Sequence, residues 1–419
     1  MSDIQSVKIM KILQVNCVYK EGSTGKIVAD LTEFLRAKGH QVRVAFGGGR
    51  TPSNIQSGEY KFTAPMESHM HALFTKLGLS LYYGGMSLST ARLLKYIKQE
   101  KPDVVHVHCI NGSTVNIYRV LCYLGNHHIP TVVTHHAEFY YTGSCGYAFE
   151  CRKWFGNECR GCECVYQASH SKTISRTHEA WKRMKESFAS FGTNQLIFTA
   201  VSPWVKERLL LSPIANLYRC EVVKNGVDTN VFHLRNNRDL IIARYPECKE
   251  KMVFYSTASF RPSDAAHIKG GFFVVEIAKR MPKVSFIVAC IVQEENIQLP
   301  SNVFLWGRTQ TQEELAVLYS TADVTLIPSK KETFSMICAE SLCCGTPVVG
   351  FKAGGPETIA LTEYSQFVEY GNIEDLQQAL QKALDKDWNK EVISNEGKKT
   401  YDKGVMTEHY LQIYEQLIK

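Results

Sequence analysis

Residues 324–350 read VTLIPSKKETFSMICAESLCCGTPVVG. Val324–Pro328 is a short β-branched run, and Val348–Gly350 is another. Between them lie a polar loop opening at Ser329 and a helix-forming stretch, Met336–Cys344. A buried strand, a loop, a helix and a second buried strand make a βαβ unit. Strands this short and apolar belong to parallel sheets covered by helices on both faces. The unit also carries two carboxylates, Glu332 in the loop and Glu340 in the helix.

Outward from this unit the same alternation runs along the chain. Ile12–Val18, Val42–Phe46, Val104–His108 and Thr131–His135 read as strands in the first half, with helical patterns through Ile27–Lys38 and Val115–Leu124. Met252–Ala258, Val284–Ala289 and Val303–Leu305 read as strands in the second, with helical patterns through Gly271–Met281 and Gln312–Ser320. Two such series predict an α/β protein of two doubly wound, Rossmann-like domains with parallel sheets. The expected divisions are 1–232, 233–391 and a helical tail 392–419 packing back on the first domain, with the polar residues 234–250 as linker.

Composition sets the outer limits. A chain of 419 residues suits two domains, and 44% hydrophobic with 21% charged residues excludes disorder, collagen-like repeats and a membrane-spanning bundle. No charged-then-apolar leader precedes Ile12, so a cytoplasmic location is expected. Residues 1–200 hold 23 Lys and Arg against 14 Asp and Glu, a net +9, while the remainder comes to −2. A basic half predicts an anionic partner. With no run of five like charges, a phosphate-bearing substrate or an anionic membrane fits and nucleic acid is not expected. Lys76, Arg92, Lys95 and Lys98 alternate with Phe74, Leu77, Leu79 and Leu81, a pattern that can lie on a membrane surface.

Several residues suggest chemistry on phosphates and sugars. The amides of Phe334, Ser335, Met336 and Ile337, at the start of a helix, can seat a pyrophosphate. Glu332 can accept hydrogen bonds from sugar hydroxyls, and Glu340 from the vicinal hydroxyls of a ribose. Arg261 and Lys269 suit phosphate oxygens, the first as a fork and the second as a point charge. Gly22-Ser-Thr-Gly25-Lys26 follows the first strand without completing a Walker loop, and glycines there let backbone approach a ligand. His106, His108, His135 and His136 close strands, where an imidazole can meet a sugar hydroxyl. Asp385-Lys-Asp387 falls in a helical tail and reads as charged surface.

Five of fourteen cysteines crowd into C-x5-C-x7-C-x2-C-x-C: Cys145, Cys151, Cys159, Cys162 and Cys164. Thiolates so spaced can hold a tetrahedral zinc. Structural zinc on Cys145, Cys151, Cys159 and Cys162, free thiols and a disulfide all stay open.

Glu332 and Glu340 match the E-x7-E pattern of retaining glycosyltransferases of the GT-B fold, and the passage through Gly354-Gly355-Pro356-Glu357 resembles family 4 of that group. Lys224-Asn-Gly-Val-Asp228 with Phe232, Ala258-Ser-Phe-Arg261 followed by Lys269-Gly270, and Trp306-Gly-Arg308-Thr309 resemble further family blocks in the same order. The resemblance implies two domains facing across a cleft. It implies a donor site with Arg261 and Lys269 on the pyrophosphate, Arg308 beside the base, Glu340 on the ribose and Glu332 on the sugar. The Gly22–Gly25 loop would face the donor phosphates. His136 aligns with the family's histidine, and Ala137 stands where Asp is common, leaving Glu138 as the neighbouring orienter. The gap from Arg261 to Lys269 is longer than usual.

The resemblance further implies transfer of a hexose from a UDP- or GDP-sugar to a glycan or polyprenyl-linked acceptor. The setting would be bacterial surface polysaccharide synthesis, at the inner face of the cytoplasmic membrane, with no catalytic metal. The Cys-rich loop is similar to an insertion in the exopolysaccharide subgroup. A binding-only relative, suggested by Ala137, and a zinc-containing nucleic-acid module are the rival classes.

Overall fold

The computed structural model describes residues 9–49, 57–235, 238–294 and 297–419. They form two units: Met1–Val223 with Met406–Lys419, and Lys224–Val405. The chain therefore divides at 223 and 405, where the sequence suggests 232 and 391.

In the first unit the elements run β1 (Lys11–Asn16), α1 (Gly22–Ala37), β2 (Gln41–Phe46), β3 (Glu59–Lys61), α2 (Pro65–Lys76), α3 (Ser87–Glu100) and β4 (Val104–Val107). They continue with α4 (Ile117–Asn126), β5 (Thr131–His135), and the short helices α5 (Phe139–Thr142), α6 (Lys153–Gly156) and α7 (Val165–Ser169). Then come α8 (Thr177–Phe188), β6 (Leu196–Ala200), α9 (Pro203–Leu211) and β7 (Arg219–Val222). The seven strands form a parallel sheet of order β3-β2-β1-β4-β5-β6-β7. β4, β5 and β6 are buried along their whole length, the signature of a sheet covered on both faces. Asn116 and Ser202 cap α4 and α9 through their side chains, and Pro203 presets the first turn of α9.

The second unit runs α10 (Arg238–Arg244), β8 (Met252–Phe260), α11 (Gly271–Arg280), β9 (Ser285–Val292), β10 (Val303–Gly307), α12 (Gln312–Thr321) and β11 (Val324–Ile327). It continues with α13 (Met336–Cys343), β12 (Val348–Phe351), α14 (Pro356–Ile359), β13 (Ser365–Val368), α15 (Ile373–Asp385) and α16 (Lys390–Tyr401). Its parallel sheet has the order β10-β9-β8-β11-β12-β13. Val253, Phe286, Val288 and Leu326 center a core closed by α11 and α15. α17 (Lys403–Leu417) then returns the chain to the first unit.

The expected linker over 234–250 is an ordered part of the second unit, apart from residues 236 and 237, which lie outside the described residues. It contains α10, the Arg244 guanidinium sits 4.3 Å from the Trp306 ring centroid, and the Tyr245 hydroxyl donates to Leu305 O at 2.6 Å. Among the described residues no helix is long and apolar enough to cross a membrane.

Candidate functional site

Each sheet has one place where strand order reverses: between β1 and β4 in the first, and between β8 and β11 in the second. Crevices at the carboxyl ends of such strand pairs are where open α/β sheets take ligands.

In the second unit, the loops leaving β8 and β11 meet. Gly270, at φ 70°, lies so near the end of β11 that a Cβ there would stand 2.0 Å from Pro328 O, so only glycine fits. Lys330 N donates to Ile268 O at 2.8 Å, and the Tyr255 hydroxyl donates to Lys269 O at 2.9 Å. This bracing brings Lys269 Nζ to 2.6 Å from Glu332 Oε1, with both side chains partly exposed. Glu332 is itself fixed through its main chain: its N–H donates to Ala353 O at 2.9 Å, and its carbonyl accepts from Gly355 N at 2.8 Å. Glu357 holds the facing Gly354 loop by accepting from the amides of Ala353 (3.0 Å) and Gly354 (2.8 Å).

α13 begins just beyond. Ser335 caps it from a strained φ of 80°, accepting from Cys338 N at 3.4 Å, and Phe334 is buried beside it. The amides of Met336 and Ile337 precede the first main-chain bond of the helix, which Ala339 makes to Ser335. Glu340, one turn on, accepts from the Tyr319 hydroxyl at 3.2 Å. Burial first, then the Glu340 charge, pushes the Tyr319 hydroxyl well above its usual pKa, so it stays a donor. Of the other expected residues, Arg261 is exposed and its carbonyl carbon would be 3.3 Å from a Cβ on Gly271, so the long 261–269 loop returns to its start. Arg308 is exposed after β10, the edge strand, two strands from β8.

In the first unit, Gly22 opens α1 at φ 63°, and Gly25 O accepts from Lys20 N at 3.1 Å. The loop is tied to β1 by Asn16, whose Nδ2 donates to Val18 O at 2.8 Å. α1 has no side-chain cap and no acidic residue in its first turn.

One face of this sheet carries a polar row that parallel sheets rarely hold. Gln14 pairs in register with His106, and His108 lies two residues on, on the same face. Thr134 pairs with Thr199, and His136 lies two residues beyond Thr134. α17 covers the row with Tyr410 and Tyr414, four residues apart. Gln14 Nε2 donates to Tyr414 Oη at 3.3 Å, leaving its carbonyl to accept from His108 Nε2 at 2.7 Å. Tyr414 Oη lies 2.6 Å from His106 Nδ1, and His106 Nε2 lies 2.6 Å from Thr134 Oγ1.

Burial pushes His136 down to about 4 and His135 to about 3, and holds His106 and His108 well below the usual range, so all four are neutral near pH 7. A neutral His108 with its proton on Nε2 accepts at Nδ1, 3.1 Å from His136 Nε2. The proton of His136 therefore sits on Nε2, and its lone pair on Nδ1. His135 is structural, with Nδ1 3.3 Å from Thr199 O.

Glu138 does not orient His136. Its buried carboxylate accepts from Arg208 Nε (2.6 Å), the Tyr141 hydroxyl (2.8 Å) and the amide of Ala148 (2.5 Å). The orienter is His108, with Gln14 behind it. Alternation of polar residues on buried strands was the signal for both.

Glu138 and Arg208 instead anchor the Cys-rich loop. All fourteen cysteines are free. Burial pushes Cys145 up to about 12, and Cys159 higher still, with Cys151, Cys162 and Cys145 adding to the rise at Cys159. The thiols are neighbors, yet among the described residues no three His, Cys, Asp or Glu side chains converge on a metal position. Cys159 Sγ donates instead to Thr142 O at 3.2 Å. As placed, Cys145, Cys151, Cys159 and Cys162 do not form a zinc shell.

Comparison with known proteins follows these two units. The model of Glycosyltransferase Family 4 matches residues 24–231, and that of Glycosyl transferases group 1 matches 290–400. D-inositol 3-phosphate glycosyltransferase of Mycolicibacterium smegmatis is 26% identical over 186 residues, 41% of this chain and 42% of that one. The Mycobacterium tuberculosis protein of that name is 29% identical over 149 residues, 33% and 30% of the two chains. The chain thus spans less than half the length of these curated relatives. Among solved structures, sucrose-phosphate synthase from Thermosynechococcus elongatus superposes with a TM-score of 0.67 at 14% identity, covering 97% of this chain and 99% of that one. Anabaena HepE in complex with UDP-glucose gives 0.63 at 13% identity, with 97% and 99% covered. The architecture is GT-B.

Proposed function

The chain belongs to the glycosyltransferases, with a family 4 region in its first unit and a group 1 region in its second, and from that premise we propose that it transfers a hexose from a UDP- or GDP-sugar with retention of configuration. The acceptor is a lipid-linked or oligosaccharide chain in bacterial exopolysaccharide, capsule or O-antigen assembly, met at the inner face of the cytoplasmic membrane. The observation that carries this reading is the Lys269–Glu332 pair at the β8/β11 crevice, beside the start of α13. HepE, solved with UDP-glucose, shares the fold and supports a nucleotide-sugar donor.

In this reading the diphosphate lies against the amides at the start of α13, where the helix dipole favors negative charge. Lys269 and Arg261 stabilise the charge that grows on the leaving diphosphate, which takes the place of a catalytic metal. Glu340 binds the ribose and Glu332 the sugar. The acceptor oxygen bonds to the anomeric carbon, the bond from that carbon to the phosphate oxygen breaks, and the acceptor's proton passes to a donor phosphate oxygen on the same face. The first unit supplies acceptor-side chemistry, with His136 as a neutral hydrogen-bonding group for the sugar.

A thermal-shift panel of UDP, GDP, ADP, CMP and their sugar conjugates, run in chelator, tests the donor. A ligand at about a hundred times its Kd adds about 2.7 kcal/mol. Stabilisation by UDP or GDP compounds alone is the expected result. Silence across the panel overturns the reading.

A further inference from the structure

An open pocket of about 450 Å³ lies within the second unit, outside the β8/β11 crevice. That volume is in the range of small-molecule sites. One wall is α16, which turns Glu391, Ser394, Asn395 and Lys398 toward it, the spacing that puts side chains on one face of a helix. The other wall is the segment entering the second unit after β7, with Asn230, His233 and Leu234.

Both walls are held by contacts of their own. Val227 N donates to Tyr401 O at 2.7 Å, and Lys403 N donates to Val227 O at 2.9 Å. The Thr229 hydroxyl donates to Asp402, and Ser320 Oγ donates to His233 O at 3.1 Å. Asn389 caps α16 by accepting from Val392 N at 3.2 Å. Behind the pocket, Ser394 Oγ donates to Cys343 O at 2.6 Å, at the last residue of α13. A Cβ at Gly397 would stand 2.6 Å from the Leu342 carbonyl carbon, so a glycine lets α16 close on α13. The pocket therefore sits at the carboxyl end of the helix whose amino end adjoins the crevice.

The polar groups in it have nothing to bind inside the protein. Among the described residues, the side-chain amides of Asn230 and Asn395, the His233 imidazole and Lys398 Nζ make no hydrogen bond or ion pair. Their chemistry sets the ligand class. Lys398 and Glu391 stand seven residues apart, about 10 Å along α16, and their charges cancel. A phosphate calls for more cations than this, and a divalent ion for more carboxylate oxygens. No Phe, Tyr or Trp lines the pocket to stack on a nucleobase. Two amides and an imidazole, which both donate and accept, match a neutral ligand dense in hydroxyls.

We propose that this pocket binds a neutral saccharide, as a second glycan site apart from the donor crevice. It gives the protein a hold on a glycan away from the reacting end. That the saccharide is part of the acceptor or product chain rests on the function proposed above, whereas the match between pocket and sugar does not.

The test is saturation-transfer NMR on the full chain with maltose, cellobiose, lactose and N,N′-diacetylchitobiose, without nucleotide. At least one disaccharide is expected to bind. Asn230→Ala with Asn395→Ala should weaken it about tenfold, the loss of two hydrogen bonds. Asn395→Trp, filling the pocket, should abolish binding. Val392→Ala, on α16 but outside the pocket, should leave it unchanged. All three positions are exposed, and unchanged melting confirms that each variant folds. The proposal is overturned if no disaccharide binds the wild type, or if binding survives in both pocket variants. Silence in the nucleotide panel with disaccharide binding intact would overturn the donor reading alone, so the two failures are told apart.

Discussion

Lys269 Nζ lies 2.6 Å from Glu332 Oε1, so the cation proposed for the donor phosphates and the carboxylate proposed for its sugar hold one another. Each fixes the other's direction. The pair is partly exposed, so its value is positional more than energetic.

Removing the carboxylate should therefore separate catalysis from nucleotide binding. For Glu332→Gln we expect turnover to fall about 100-fold while nucleoside diphosphate affinity stays within about threefold, because Lys269 loses its competitor. Lys269→Ala should lower both. Steady-state kinetics with calorimetric titration of the nucleotide checks this, and equal loss of both quantities in Glu332→Gln would contradict it.

Gln14 should act on His136 through His108. Gln14→Leu takes away the carbonyl that keeps the His108 proton on Nε2, and we expect turnover to drop about tenfold with the nucleotide Kd unchanged. Nitrogen-15 shifts of the imidazoles should then show His136 losing its single Nε2–H tautomer. Gln14→Glu, which keeps an acceptor, should restore part of the rate. An unaltered tautomer in Gln14→Leu would sink the assignment.

The buried histidines make stability depend on pH. His136 and His135, lowered to about 4 and about 3 by burial, stay neutral in the fold but titrate near 6.5 once unfolded. The unfolded chain thus binds more protons below pH 6.5. Their neutrality stabilises the fold above that pH, and the contribution is lost as pH falls from about 6.5 toward 4. Each should cost about 1 kcal/mol per pH unit in that window. Urea midpoints between pH 8 and 5 measure it, and a flat profile would contradict it.

Arg208→Ala should strand the Glu138 carboxylate in the interior, at a cost of about 3–5 kcal/mol. The thiols of Cys145 and Cys159 should then react faster with a labeling reagent, because Glu138 also holds the amides of Ala148 and Phe149. The double variant Arg208→Met/Glu138→Gln should cost less than Arg208→Ala alone. Denaturant unfolding and timed labeling check both parts.

The strands β4, β5, β11 and β12 were legible because each is buried from end to end, and apolar runs between turns have few other uses. The positions of Lys269 and Glu332 after β8 and β11 were legible as well, and those strand ends bring the two side chains together. Other features were not, among them the strands β6, β7 and β13. β3, the edge strand Glu59–Lys61, is too short for a period to register. Met66, Met70, Leu73 and Phe74 of α2 recur at helical spacing, but spacing fixes only that a helix has an apolar side, not that this side is exposed. Glu138 stands next to Ala137 in sequence and suggests itself as orienter, yet strand pairing brings His108, 28 residues away, within hydrogen-bond reach of His136.

α17 has a further consequence, in the order of synthesis. Its tyrosines cover Gln14, His106 and Thr134, but it begins about 180 residues after β7 closes the sheet. At about 5–20 residues per second, a ribosome needs roughly 10–40 s to deliver it. For that time the nascent first unit holds a wet polar row where the finished protein has a dry one. The second unit is translated completely within the same interval, so the domain begun first is the one completed last.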